Sequence, residues 1–414
     1  MVEGSIGSRM DERGGVGDGF DVLRLTLACG VVVYHSFGVA AAAGLIGPWQ
    51  LVAESLVPAF FVLSGFLVTG SALRSTLPQF LVNRALRILP ALIAVVTLSA
   101  LVLGPALTSL DLAAYFASAH TREYFLAIVG APQMELPGVF SGPHLEGASI
   151  ASLHADRSFN VSLWTVGWEM LCYAMVAVFL ATRVIARPAV VLSLFVAIMA
   201  FRLGLYIARP DVIHVQNVSL GSIVFPGLEM SNLSVDRSFE PWSPNWLADR
   251  LTARVTSWEF RVIPFFLAGI LAYLWRYQLP RSGRWALASA AAIVALSHVV
   301  SGEQSTPLTT LLTAAPIAYL VAFVGTSHLP LPRFLKGDYS YGVYLWAFPV
   351  QQFVHMRGLD GGSPWANTLL SVPIALLAGC ASWHLVERPF LASRRFRIRR
   401  FRPAVETDEG QIAQ

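Results

Sequence analysis

Hydrophobic positions in this chain come in long unbroken runs, not at the spacing of amphipathic helices or alternating strands. A helix needs about 20 apolar residues to cross the hydrocarbon of a bilayer. Windows of that size fall at ten places, roughly 20–43, 49–71, 86–106, 161–182, 187–207, 259–277, 284–302, 306–325, 340–356 and 365–387. Segments apolar on every side predict membrane helices, not surface ones. The polar breaks are short except for two, roughly 107–160 and 208–258. Basic residues mark alternate breaks: Arg74, Arg84 and Arg87; Arg183 and Arg187; Arg276, Arg281 and Arg284; Arg333 and Lys336. The tail SRRFRIRRFR (Ser393–Arg402) falls on the same side, and Arg357 is the exception among the opposite short breaks. Cytoplasmic loops collect Lys and Arg. The pattern therefore predicts an all-α polytopic integral membrane bundle of about ten transmembrane helices. Both termini are cytosolic, and the two long connections lie outside.

Composition agrees with that picture and narrows it. Of 414 residues, 55% are hydrophobic and only 13% charged, against about 25% charged in soluble domains. The net charge of +4 comes from loop and tail arginines placed by topology, so no nucleic-acid partner is implied. Cys29, Cys172 and Cys380 lie inside apolar runs and read as small buried hydrophobes, with no disulfide or metal set. Residues 1–19 are Gly-rich and mixed in charge, without the apolar core of a signal peptide. They are expected to form a disordered cytosolic tail, followed by a membrane domain over 20–390 and a basic, partly disordered cytosolic tail over 391–414.

Candidate chemistry begins where ionisable residues interrupt apolar runs, because a charge at mid-bilayer costs about 2.5–3.5 kcal/mol on insertion scales. The first run, FDVLRLTLACGVVVYHSFG (Phe20–Gly38), holds Arg24 and His35. Eleven residues apart, they sit within about 20° of each other on one helix face and about 16–17 Å apart along it. Arg84 and Arg87 in NRALRILP (Asn83–Pro90) share a face near the cytosolic end of the third run. Snorkelling anchors explain such arginines. Three guanidinium groups at one depth also suit a polyphosphate, since the guanidinium fork matches phosphate oxygens. In SLWTVGWEMLCYAM (Ser162–Met175), Glu169 lies about 10 Å below the external surface, at the depth of His35. A structural pair with an arginine explains Glu169 as well. A carboxylate near a histidine, however, suits general-base work by fixing the tautomer and stabilising the imidazolium.

Other chemistries lack their residues. There is no Walker loop and no GxSxG elbow, and Ser64 in FFVLSGF (Phe60–Phe66) reads as a close-packing position. His120, His144, His154, His214, His298, His328, His355 and His384 show no metal-ligand spacing and read as surface or interfacial residues. Tyr124, Phe239, Trp242 and Trp246 in the long connections suit sugar stacking or the membrane interface equally.

Six segments in order resemble the membrane-bound acyltransferase family 3, which O-acylates cell-surface and secreted glycans. They are Arg-x10-His (Arg24, His35), FFVLSGFLVTG (Phe60–Gly70), RxxR (Arg84, Arg87), SLWTVGWE (Ser162–Glu169), YSYGVYLWAFPV (Tyr339–Val350) and LVERPF (Leu385–Phe390). Two positions depart from the family pattern, Met170 where a second Glu is frequent and Ala347 where a His is frequent. No role is carried to them.

The resemblance implies a ten-helix O-acyltransferase in the bacterial inner (cytoplasmic) membrane, moving an acyl group, usually acetyl, from cytosolic acyl-CoA to a glycan hydroxyl outside. It makes His35 the catalytic base; Glu169, at the same depth, is the second catalytic candidate from the residues themselves. Arg24, Arg84 and Arg87 form the donor-binding region. Acetyl-CoA is then a co-substrate, no cofactor or metal is bound, and the partners are the donor, a glycan or lipid-linked saccharide acceptor and the bilayer. Acetyl, succinyl and longer groups stay open, as do direct transfer, a covalent intermediate and the oligomeric state. A proton-coupled transporter or flippase of a glycan precursor also places Arg, His and Glu in the membrane. The absence of inverted repeats or paired broken helices speaks against it.

Overall fold

The computed structural model describes residues 4–12, 19–40, 48–131, 133–140, 158–208, 259–299, 307–329 and 337–392. Each of the ten apolar runs carries a helix there: α1 (Gly19–Ala40), α2 (Leu56–Ala72), α3 (Leu77–Leu98), α4 (Trp164–Ala181), α5 (Pro188–Ala208), α6 (Val262–Leu274), α7 (Gly283–Val299), α8 (Pro307–Gly325), α9 (Ser340–Met356) and α10 (Pro364–Ser382). Among the described residues the sole β feature is an isolated bridge between Ser5 and Pro280. The fold is a helical membrane bundle.

Among the described residues, seven helices are long and apolar enough to cross a membrane: α1, α2 from Leu51, α3 through Leu107, α4 from Val161, α5, α8, and α10 through Ala392. The sequence pattern predicts about ten. The difference lies in α7 and α9, at 17 residues each, and in α6, at 13. Thirteen residues span about 20 Å, short of a bilayer core. Helix α6 is nevertheless the most apolar of all, and every residue from Val262 to Tyr273 is buried. A helix hydrophobic all round belongs inside protein, and α6 is the centre of this bundle.

The packing of α6 on α2 rests on two glycines. A Cβ at Gly65 would fall 2.1 Å from the Phe266 carbonyl oxygen, and one at Gly269 would fall 2.1 Å from that of Val62. Any side chain there would force the backbones apart. The close-packing residue of FFVLSGF is therefore Gly65, not Ser64, which faces elsewhere. On the outside the polarity inverts. Ile207 on α5 and Leu377 on α10 are more than 70% exposed, as lipid contact requires.

Part of the expected N-terminal tail is folded. Residues Ile6–Glu12 form a helix whose start pairs with the α6–α7 turn: Ile6 N donates to Leu279 O, Gly7 N to Arg276 O, and Arg281 N to Gly4 O. Ile6 is fully buried. Composition missed this because the partner is a turn some 270 positions away. In the first long connection, Tyr124 is also fully buried, edge-on to Phe159, so it is unavailable for sugar stacking. Phe239, Trp242 and Trp246 lie outside the described residues, as do residues 1–3, 13–18 and 393–414 of the expected tails.

Candidate functional site

Arginines from α1 and α3 meet at one end of the bundle, as their positions in the chain predict. Arg87 Nη2 lies 2.7 Å from Asp338 Oδ2, and its Nη1 lies 3.0 Å from Glu387 Oε2. Arg24 Nη1 is 2.9 Å from Asp21 Oδ1 and 3.5 Å from Asp338 Oδ2. Asp338 thus bridges the two arginines from the residue pair just ahead of α9, where Ser340 Oγ also donates to it at 2.9 Å. Burial pushes the Asp338 carboxyl up, but Arg87 and Arg24 outweigh it and hold the group below its usual range. Glu387 arrives by a different route. Helix α10 runs on into a π-helical turn, Trp383–Glu387, of a kind frequent at functional sites. The carboxylate at its end is 1% exposed, pairs with Arg87 and accepts from Ser382 Oγ at 3.0 Å.

These pairs change the expected clamp. Two of its three guanidinium groups are already matched to carboxylates, which lowers the cost of burying them and leaves little free positive charge. Arg84 differs. It makes no ion pair with any described residue, and its Nε is buried without a hydrogen-bond partner. Its guanidinium lies 5.5 Å from the centre of the Tyr173 ring and 6.0 Å from that of Phe80, a cation–π setting.

Arg24, Arg84 and Arg87 line one cavity together with Glu169, Tyr173 and Ser64. Its empty volume, open mouth included, is about 830 Å³. Glu169 accepts from Tyr173 Oη at 2.5 Å, and Ser64 Oγ is 3.4 Å from the same oxygen. The i, i+4 spacing puts Glu169 and Tyr173 on one face of α4.

His35 stands apart from this group. It is buried at 6% exposure and lies edge-on to Phe348 of α9, with ring centres 5.2 Å apart. Tyr34 is 5.7 Å away. His35 is not on the cavity wall, and no described residue hydrogen-bonds its ring. Glu169 was expected as a carboxylate beside His35. The geometry places it with Tyr173 and the arginines instead, because α4 turns that face toward α2 and α3 while His35 faces α9. The cavity wall also contains Phe60 and Tyr344, stacked edge-to-face at 5.9 Å. Phe60 lines the cavity and also packs on a cluster formed by Ala28 and Val32 of α1 with Val343 and Ala347 of α9.

The sequence assigns no functional role to Asp338, Glu387, Tyr173 or Tyr344, and reads Ser64 only as a packing position. Two left a signal. Glu387 is an acid within an apolar run and within a quoted motif, and Glu169 and Tyr173 share helical spacing. Asp338 left none, since a lone acid before a helix is ordinary.

Residues 18–386 match the model of a family described as an acyltransferase domain. The chain is also similar to an O-acetyl transferase of Shigella phage Sf6, 28% identical over 380 residues, which are 90% of this chain and 95% of the relative. Nodulation protein 10 of Rhizobium leguminosarum bv. viciae is 27% identical over 401 residues, 94% of this chain and 97% of the relative. No solved structure matches.

Proposed function

Since the chain belongs to this acyltransferase family, we propose that it carries an acyl group, acetyl by analogy with the phage relative, from acyl-CoA to a hydroxyl of an extracytoplasmic glycan. The arginine end of the bundle faces the cytosol, and the protein resides in a bacterial inner membrane. The observation carrying this reading is Arg84: a guanidinium that makes no direct ion pair with any described residue, on the wall of a cavity inside a membrane bundle. An anionic ligand supplies the missing counter-charge, and the diphosphate of a CoA thioester is an anion of suitable reach. Arg24 and Arg87, pre-oriented by Asp338, flank it.

Pantetheine extends from there along the apolar wall toward His35. His35 accepts the proton of the acceptor hydroxyl as its oxygen attacks the thioester carbonyl. The C–S bond breaks, and the departing thiolate takes up the proton held by His35. His35 is not on the cavity wall, so this reading requires the packing between the cavity and His35 to open when the donor enters. Glu169 acts on the donor side, holding Tyr173 against Arg84.

The test is acyl-CoA-dependent transfer by the purified full-length protein. His35→Ala is expected to lose about 100- to 10,000-fold in rate, the range for general acid–base catalysis. Full activity in that variant would overturn the base assignment. Mass spectrometry of glycans from strains with and without the gene identifies acceptor and acyl group together, as a mass increment on one sugar.

A further inference from the structure

The outer half of α1 is held by a polar network that the acyl-transfer chemistry does not use. Ser36, next to His35, is fully buried, as are Gln351 of α9 and Asn367 of α10. Gln351 Nε2 donates to Val32 O and to Ser36 Oγ, both at 2.7 Å. Ser36 Oγ has one proton to share between Val32 O at 3.1 Å and Asn367 Oδ1 at 3.0 Å. Asn367 Nδ2 donates to Gln351 O at 3.1 Å and to Asp360 Oδ2 at 2.8 Å. Asp360 also accepts from Gly362 N at 2.9 Å and faces His355 Nδ1 at 3.0 Å. Three helices and the α9–α10 turn are thereby joined at one point.

That point bears directly on His35. Val32 and Ser36 lie three residues before it and one after it on α1. On α9, Phe348 and Gln351 are three apart and share a face: Phe348 receives the edge of the His35 ring, and Gln351 grips the backbone beside it. A buried side chain that donates to a helix carbonyl already inside the helical ladder does more than fill space. It fixes both the rotation and the axial position of α1 relative to α9. A rotation of about 10° moves a group 5–6 Å from a helix axis by about 1 Å, and a displacement of that size at a reacting group can cost about 100-fold in rate. Helix α1 also holds Arg24, but that residue is tied separately through Asp21 and Asp338.

We infer that Gln351, through Val32 O and Ser36 Oγ, is a positioning residue that sets the orientation of His35 for acyl transfer. The inference rests on the reading of His35 as the base. It predicts a division of labour, with donor affinity set at the arginine end and turnover sensitive to the clasp.

The experiment uses Gln351→Met, which keeps the side-chain length and removes the donor. Transfer kinetics, thermal unfolding and hydrogen exchange of the α1 peptides are measured on the full-length protein, alongside wild type and His35→Ala. Expected are a fall in kcat of about 10- to 100-fold, an acyl-CoA KM within about twofold of wild type, and faster exchange around Val32–Ser36. A Gln351→Met enzyme with wild-type kcat overturns the inference. So does a loss in which kcat and KM change together and track a lowered unfolding temperature, since that marks general destabilisation. Because Met also changes the local packing, Ser36→Ala provides a second arm: it removes one partner of the same amide and must show the same split in milder form. If His35→Ala keeps full activity, the base reading itself fails, which is distinguishable from a silent Gln351→Met.

Discussion

Helix α1 enters two polar sites of opposite character. At its start, Arg24 joins guanidinium and carboxylate groups on the wall of an open cavity. Past its middle, Ser36 joins two carboxamides with no exposure at all. The difference follows from what each kind of group costs to bury. A charge withdrawn from water costs several kcal/mol unless it is paired, so the arginine end keeps partners and a route to solvent or ligand. Amides and hydroxyls cost much less once hydrogen-bonded, so the clasp can close completely. One end is built to exchange ligands and the other to stay still. His35 lies between them on the same rod.

The sharpest way to break the comparison is at Arg87. Arg87→Ala removes the guanidinium facing Glu387, a carboxylate 1% exposed. Leaving a buried charge unpaired costs about 3–5 kcal/mol, readable as a lower unfolding temperature in detergent. Adding Glu387→Leu to Arg87→Met is expected to recover most of that loss without recovering acyl-CoA affinity. Arg84→Ala is the converse case. With no ion pair among the described residues to lose, it should leave unfolding nearly unchanged. It should cost about 1.5–3 kcal/mol of donor binding, the range for a hydrogen bond to a charged group, seen as a rise in acyl-CoA KM. Ser36→Ala is smaller again. Gln351 keeps Val32 O, and Asn367 keeps Ser371 Oγ at 3.4 Å, so the expected stability cost is about 1 kcal/mol.

The smallest effect is with pH. The Asp338 carboxyl is held low by Arg87 and Arg24 against its burial. The Asp360 carboxyl is likewise held low, against its burial, by Asn367, Gly362 N–H and His355. Groups whose pKa is depressed by folding contribute stability above their unfolded value, about 3.9 for Asp. That contribution is lost as pH falls through the lower folded value. Between pH 5 and 8 both contributions are fully present, so unfolding temperature should be insensitive to these groups there. It should decline below about pH 4, and Asp338→Asn should flatten part of that decline.

Much of the site was legible in the linear chain, for reasons particular to each residue. Arg24 and Arg87 could be brought together from helix periodicity and loop charge alone. Ionisable residues in apolar runs are rare enough to stand out, which is why His35 and Glu169 were found. Periodicity could not say which neighbour each would face. Glu169 was placed beside His35 because depth along the membrane normal can be counted from sequence. Rotation about the helix axis relative to other helices cannot, and rotation sent Glu169 to Tyr173 and the arginines. His355 looked like one more interfacial histidine because its partner, Asp360, becomes near only through the turn between them.

Hydrophobic runs, loop arginines and helical spacing determined by themselves that this chain is a helical membrane bundle, and the ordered motifs pointed to its acyltransferase family. These features act locally: burial in lipid requires about 20 apolar residues in a row, and backbone groups must be satisfied within each helix. Packing alone decided the rest. It enclosed α6, a helix too short to span, at the centre of the bundle. It neutralised two arginines of the expected clamp and left Arg84 without a direct ion pair among the described residues. It also set Gln351 and Asn367 against the turn that holds His35. Those outcomes depend on which faces of distant helices meet, and the contacts that fix those faces join residues 300 or more positions apart.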